Sequence, residues 1–349
     1  MRKIFWFPCM AVLLMVWGCS SAPREEVISV DTAQVQPPSL PRYEMMRVPE
    51  DNPLTQAKID LGKMLYYDKR LSGDESRSCY SCHLQENGLT DGKPTAIGAY
   101  EAKLPRASPT LWNIGFHQAY YWDGRSPSLE RQAMAAWTGG NMGVSGKDGR
   151  PSATDIAAKL NQVPGYQKAF QRAFGGPATP ENMMQAISSF ERTIVATNAA
   201  WTRFSGGDES ALNDTARRGW ALFSGKAGCT NCHDGMLLTD QQYHNVGIGM
   251  DAPQPDVGRF TVTKDEKDTG AFKTPTLLDI SKSAPYFHNG SVATLGEAVD
   301  VMLGGGKKNK YLDTTNLKPV RLTKTEREDL LAFLRSLDAE YPVKEPALP

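Results

Sequence analysis

Apolar positions recur at helical spacing in several stretches of the chain, and strand-like alternation is rare. Leu61-Gly62-Lys63-Met64-Leu65-Tyr66-Tyr67 and Gly219-Trp220-Ala221-Leu222-Phe223 each carry a glycine followed by bulky apolar residues. This weak internal repeat predicts a duplicated module. Helical patterns also cover residues 153–161, 166–174 and 180–197, with Pro180 suited to a first turn. Leu295, Ala298, Val299 and Met302 form an apolar stripe at helical spacing. A last helix over 324–337 opens with Thr323 as N-cap and Glu326 three residues on, a capping box. A glycine-rich break, Ser205-Gly206-Gly207-Asp208, separates the two modules. The pattern predicts a mainly α protein with long loops, divided into domains at 51–200 and 201–340 and a tail at 341–349.

The beginning of the chain has a different character. Arg2 and Lys3 precede an almost wholly apolar run from Ile4 to Trp17, and Val16-Trp17-Gly18-Cys19-Ser20-Ser21 follows. The run is too short for a membrane span and has the flanks of an export signal. A small residue before a cysteine predicts a lipoprotein-type signal over 1–19, with Cys19 carrying the lipid anchor. The alternative is a plain secretory signal with an incidental cysteine. Residues 20–50, rich in Pro, Ser and Gln, predict a disordered tether. The expected location is the periplasm, anchored to a bacterial membrane.

The 349 residues suffice for two domains with cores of their own. Acidic and basic residues balance at 39 each, which argues against a nucleic-acid partner. The six cysteines divide without remainder. Cys9 leaves with the signal and Cys19 takes the lipid. The other four form Cys79-Tyr80-Ser81-Cys82-His83 and Cys229-Thr230-Asn231-Cys232-His233.

Cys-x-x-Cys-His is the attachment signature of c-type haem. Two thiols three residues apart reach the two porphyrin vinyl groups, and the histidine that follows reaches the iron from one face. A zinc site would need further Cys or His ligands at short spacing, and none follow. A redox dithiol would usually occur once, at a helix start. The sequence therefore predicts two covalently bound haems c on two fused cytochrome c-type domains, with His83 and His233 as proximal iron ligands.

Several further segments carry a resemblance. They are Ser108-Pro109-Thr110-Leu111-Trp112-Asn113, Tyr121-Trp122-Asp123-Gly124-Arg125 with Leu129-Glu130-Arg131-Gln132-Ala133, Lys273-Thr274-Pro275-Thr276-Leu277, and Ala284-Pro285-Tyr286-Phe287-His288-Asn289-Gly290. With the two haem motifs they resemble the bacterial di-haem cytochrome c peroxidases and their MauG-like relatives, from about Pro53 to Leu337. The resemblance implies an N-terminal haem that meets hydrogen peroxide and a C-terminal haem that receives electrons. It implies a coupling role for Trp122 between them and makes Met302, fourteen residues after His288, the second ligand of the C-terminal iron. His244 and His288 fall at family positions and are read as structural, bonding to haem propionates. His117 is read as a satisfied loop histidine.

Four departures from the family pattern change the expectations. Ala99 stands where a blocking histidine is usual, sixteen residues after His83, so the N-terminal iron is expected to be open at rest with water, or Tyr100, beside it. Asn141-Met142 stands where a distal glutamate is usual, which leaves Gln132 as the polar group over the iron. Ala107 replaces an asparagine that helps hold calcium between the domains, which predicts weaker calcium. Leu278 replaces an arginine beside a haem propionate.

The expected activity is that of a di-haem oxidoreductase. It takes electrons from a small cytochrome c or cupredoxin and spends them on peroxide, or oxidises a partner protein. The oligomeric state is left open, a homodimer included. The rival is a non-catalytic electron-transfer cytochrome with both irons closed, for which Met142, 59 residues after His83, is the available ligand.

Overall fold

A computed structural model describes residues 46–196, 199–339 and 344–349. The signal over 1–19, Cys19 and most of the tether lie outside the described residues. The end of the expected tether is docked: Met46 is buried against Phe116 and Val195, and the Arg47 backbone N–H donates to Gly115 O at 3.2 Å.

The described chain is mainly helical. Its α-helices are α1 (Gln56–Tyr67), α2 (Leu129–Thr138), α3 (Ala153–Leu160), α4 (Pro164–Phe174), α5 (Pro180–Glu191), α6 (Ala200–Ser205), α7 (Asp214–Ser224), α8 (Phe260–Thr263), α9 (Leu295–Leu303) and α10 (Lys324–Arg335). Long loops with short 3-10 turns join them. Two short strands, β1 (Tyr243–His244) and β2 (Phe272–Lys273), pair antiparallel with Tyr243 opposite Lys273.

The repeat in the sequence is a repeat in packing. Gly62 of α1 crosses α5 so closely that a Cβ would stand 1.8 Å from Ala186 O and 2.9 Å from the Phe190 Cβ. Gly219 of α7 crosses α10 in the same way, with a Cβ 2.0 Å from Asp329 O and 2.7 Å from the Phe333 Cβ. In both modules only glycine lets the backbones approach this far. The bulky residues flanking each glycine fill the surroundings. Leu61 and Leu65 join Tyr166, Phe170 and Ile187 in one core, while Phe223 joins Trp201, Leu330 and Phe333 in another.

Capping residues set most helix starts. Thr323 accepts from the Glu326 backbone N–H and begins α10, as the capping box predicts. Helix α5 ends at Glu191, short of the expected residue 197. Thr193, Ile194 and Val195 are β-branched, and the chain there leaves the helix to pair elsewhere. Asn113 N–H donates to Ile194 O at 3.0 Å, and the Asn113 side chain accepts from Ala196 N–H at 3.0 Å.

Candidate haem sites

The two Cys-x-x-Cys-His motifs fold alike. Each begins as a 3-10 turn, Cys79–Ser81 and Cys229–Asn231, which turns the second cysteine and the histidine back toward the first. Ser78 opens the first turn with a capping box, and Gly228 opens the second at φ 66°. All four thiols are free. Burial pushes the Cys229 thiol up to about 12 and raises the Cys79 thiol as well.

Both histidines are pinned at one ring nitrogen. His83 Nδ1 lies 3.0 Å from Leu89 O, and His233 Nδ1 lies 3.0 Å from Leu238 O. A carbonyl only accepts, so Nδ1 carries the proton and Nε2 keeps its lone pair. Burial holds both rings below the ordinary histidine range, in the neutral form a metal needs. Leu89 and Leu238 both adopt left-handed backbone, at φ 62° and 51°. That conformation costs a branched residue about 1–3 kcal/mol, and at both sites it belongs to the residue whose carbonyl fixes the imidazole.

Each motif opens onto a cavity. The N-terminal one has a volume of about 710 Å³ and is walled by Cys79, Cys82, His83 and, from α2 and the loop after it, Gln132, Asn141 and Met142. The C-terminal one, about 300 Å³, is mostly apolar and is walled by Cys229, Cys232, His233 and Met302. Paired free thiols, a neutral imidazole with an available Nε2 and an adjoining cavity fit a covalently held haem at each motif. Trp122 is a wall of both cavities. Its indole N–H donates to Ala107 O at 2.9 Å, and its own carbonyl accepts from Lys273 N–H at 2.8 Å.

Several expected residues are brought together and others are not. Ala99 is fully buried and lies outside the wall of the N-terminal cavity. Tyr100 also lies outside it, with its ring under the Arg150 guanidinium at 4.3 Å. His244 does not wait for a propionate. It sits between two carboxylates, Asp313 at 2.6 Å from Nδ1 and Asp240 at 2.9 Å from Nε2. His288 lines the C-terminal cavity with its ring stacked on Phe272, centroids 3.7 Å apart. Leu278 is buried and is a wall of neither cavity.

His117 is not a satisfied loop histidine. It is 4% exposed, its Nε2 has no hydrogen-bond partner, and it lines the C-terminal cavity with Lys273. Sequence reasoning also missed Glu191, the last residue of α5. Met184, Ile187 and Glu191 share one face of that helix and wall the N-terminal cavity. Glu191 is 5% exposed, and its Oε2 has no partner. Burial pushes its carboxyl up to about 8, opposed by Arg192 and reinforced by Glu130. Arg192 is itself paired with Glu130 at 2.6 Å. An acid in register with two apolar residues at 184 and 187 was the available signal.

A family model for di-haem cytochrome c peroxidase matches residues 56–210. Methylamine utilization protein MauG of Methylorubrum extorquens is 36% identical, over 92% of this chain and 88% of its own length. The chain belongs to the di-haem cytochrome c peroxidase family. Cytochrome-c peroxidase IdrP1 of a Pseudomonas species is 37% identical over 92% of this chain and 91% of its own. Among solved structures, a MauG-like protein associated with microbial copper homeostasis superposes with a TM-score of 0.78 at 35% identity, covering 86% of this chain and 95% of that one. Members of the family carry two c-type haems.

Proposed function

We propose that this chain is a peroxide-linked di-haem oxidoreductase. Electrons pass from a small donor protein, a cytochrome c or a cupredoxin, through the C-terminal site to the N-terminal site. There hydrogen peroxide is reduced, or its oxidising power is turned on a protein substrate. When bound, each haem supplies an iron that exchanges one electron and, where a coordination position is open, takes a small ligand.

The observation that carries this reading is the unequal walls of the two cavities. The C-terminal wall holds both His233 and the Met302 thioether, a pair that closes an iron for electron transfer. The N-terminal wall holds His83 and, among the described residues, no second histidine. It offers the side-chain amides of Gln132 and Asn141, which can orient a peroxide by hydrogen bonds. Glu191 holds a proton in the same cavity. Trp122, with Tyr120 and Tyr121, lines both cavities and offers an aromatic bridge between them.

A second reading, the closed electron-transfer cytochrome, is favoured by one observation. Met142 is buried and belongs to the N-terminal wall. The spectrum of the fully oxidised protein separates the two. A high-spin component supports the open N-terminal site, and two purely low-spin haems support Met142 as a ligand.

The basic start, the apolar run and Cys19 support export to the periplasm and a lipid anchor. Among the described residues no helix is long and apolar enough to cross a membrane. Replacing Cys19 by Ser should release the protein from the membrane fraction; retention there would discard the anchor.

A further inference from the structure

Lys273 is a buried cation with no ion pair among the described residues. It sits at the end of β2, 8% exposed, and its backbone is fixed by the bond from its N–H to Trp122 O. Among the described residues the hydrogen-bond partner of its ammonium is His117 Nδ1, at 3.2 Å. No carboxylate of the described residues is within ion-pair distance. Asp240 acts on it only from farther off and is already bonded to His244.

The protons follow from the donor chemistry. An ammonium only donates, so His117 Nδ1 accepts and the ring proton is on Nε2. That Nε2–H is buried without an acceptor. Among the described residues the Lys273 ammonium makes one hydrogen bond, to His117. Burying a charge in this way is costly unless a counter-charge arrives. Burial depresses Lys273 to about 8 and His117 well below its ordinary range, so a negative group beside them would favour the charged lysine.

Both residues line the C-terminal cavity, whose other walls are mainly apolar. The cofactor attached at Cys229 and Cys232 carries two carboxylates on the edge away from its thioether bonds. We propose that Lys273, held in place by His117, is an anion clamp that takes a propionate carboxylate of the C-terminal haem. The proposal rests on the di-haem reading above. Lys273 fixes a positive charge beside that haem, which favours the reduced iron and raises its potential.

The test is a redox titration of the holoprotein and of K273M and K273R. Haem content is measured first by pyridine haemochrome. Fewer than two haems in the wild type would sink the di-haem reading and the clamp with it, an outcome distinct from failure of the clamp alone. With two haems present, K273M should lower the potential of the methionine-ligated haem and leave the other unchanged, while K273R keeps both near wild type. An unchanged potential in K273M overturns the clamp. Should K273M fail to mature, redox-difference infrared spectra of wild type and K273R with isotope-labelled haem carboxyls decide. The propionate band should shift between ammonium and guanidinium, and an identical band in both overturns the proposal.

Discussion

The indole N–H of Trp122 bonds to the backbone oxygen of Ala107 at 2.9 Å, so the residue between the cavities is tied to the chain just before Ser108-Pro109. That carbonyl is already engaged, and Ala107 has no side-chain oxygen to offer a cation. Chelation should therefore change activity and haem–haem coupling little. The check is the same pair of measurements before and after chelator, with calcium added back. A large loss restored by calcium would show that other oxygens build the site.

Met302 separates packing from ligation. M302L keeps the volume of α9 and should cost less than about 1.5 kcal/mol of stability. It should lower the potential of one haem and remove the sulfur-to-iron absorption band. If both potentials survive, Met302 serves only the apolar stripe with Ala298 and Val299.

Glu191 ties stability to pH. Its carboxyl titrates near 8 in the fold against an ordinary 4.5. Between those values the folded chain keeps a proton that the unfolded chain has released. Stability should therefore fall as pH rises through this window, by about 1.4 kcal/mol per pH unit at most. E191Q keeps the shape, removes the titration and should flatten that slope. Denaturant unfolding at several pH values measures it, and a slope unchanged in E191Q would assign the effect to another group.

The helix crossings make a structural prediction. G62A places a methyl group where Ala186 O stands, and G219A does the same at Asp329 O. The gain in helix propensity, about 1 kcal/mol, is outweighed by overpacking that typically costs about 1–3 kcal/mol and more when backbone must move. Each variant should melt several degrees lower. Equal or higher melting would mean that the crossings are looser than described.

What the sequence made legible was local. Each Cys-x-x-Cys-His motif is read from five consecutive residues and folds as one 3-10 turn, and the duplicated glycine–aromatic pattern marks the paired helix crossings. Capping residues such as Thr323 fixed helix starts. The cavity walls were less legible because they are assembled from distant segments. Glu191 reaches the N-terminal cavity from the end of α5, and its partnerless oxygen has no sequence signature. His117 and Lys273 are 156 residues apart and meet only in the fold. Tyr100 follows Ala99 in sequence, but its left-handed backbone turns the ring to Arg150 and away from the cavity.

The central claim is that the N-terminal iron is accessible in the oxidised protein. His83 has no histidine facing it among the described residues of the cavity wall, and Ala99 has no lone pair to give. Mixing fully oxidised protein with one equivalent of hydrogen peroxide in a stopped-flow spectrometer measures this directly. The account predicts a prompt change in the bands of a high-spin haem with no reductant present. A change that appears only after one-electron reduction would mean that a sixth ligand, with Met142 the nearest choice, closes the iron at rest, and would contradict the account.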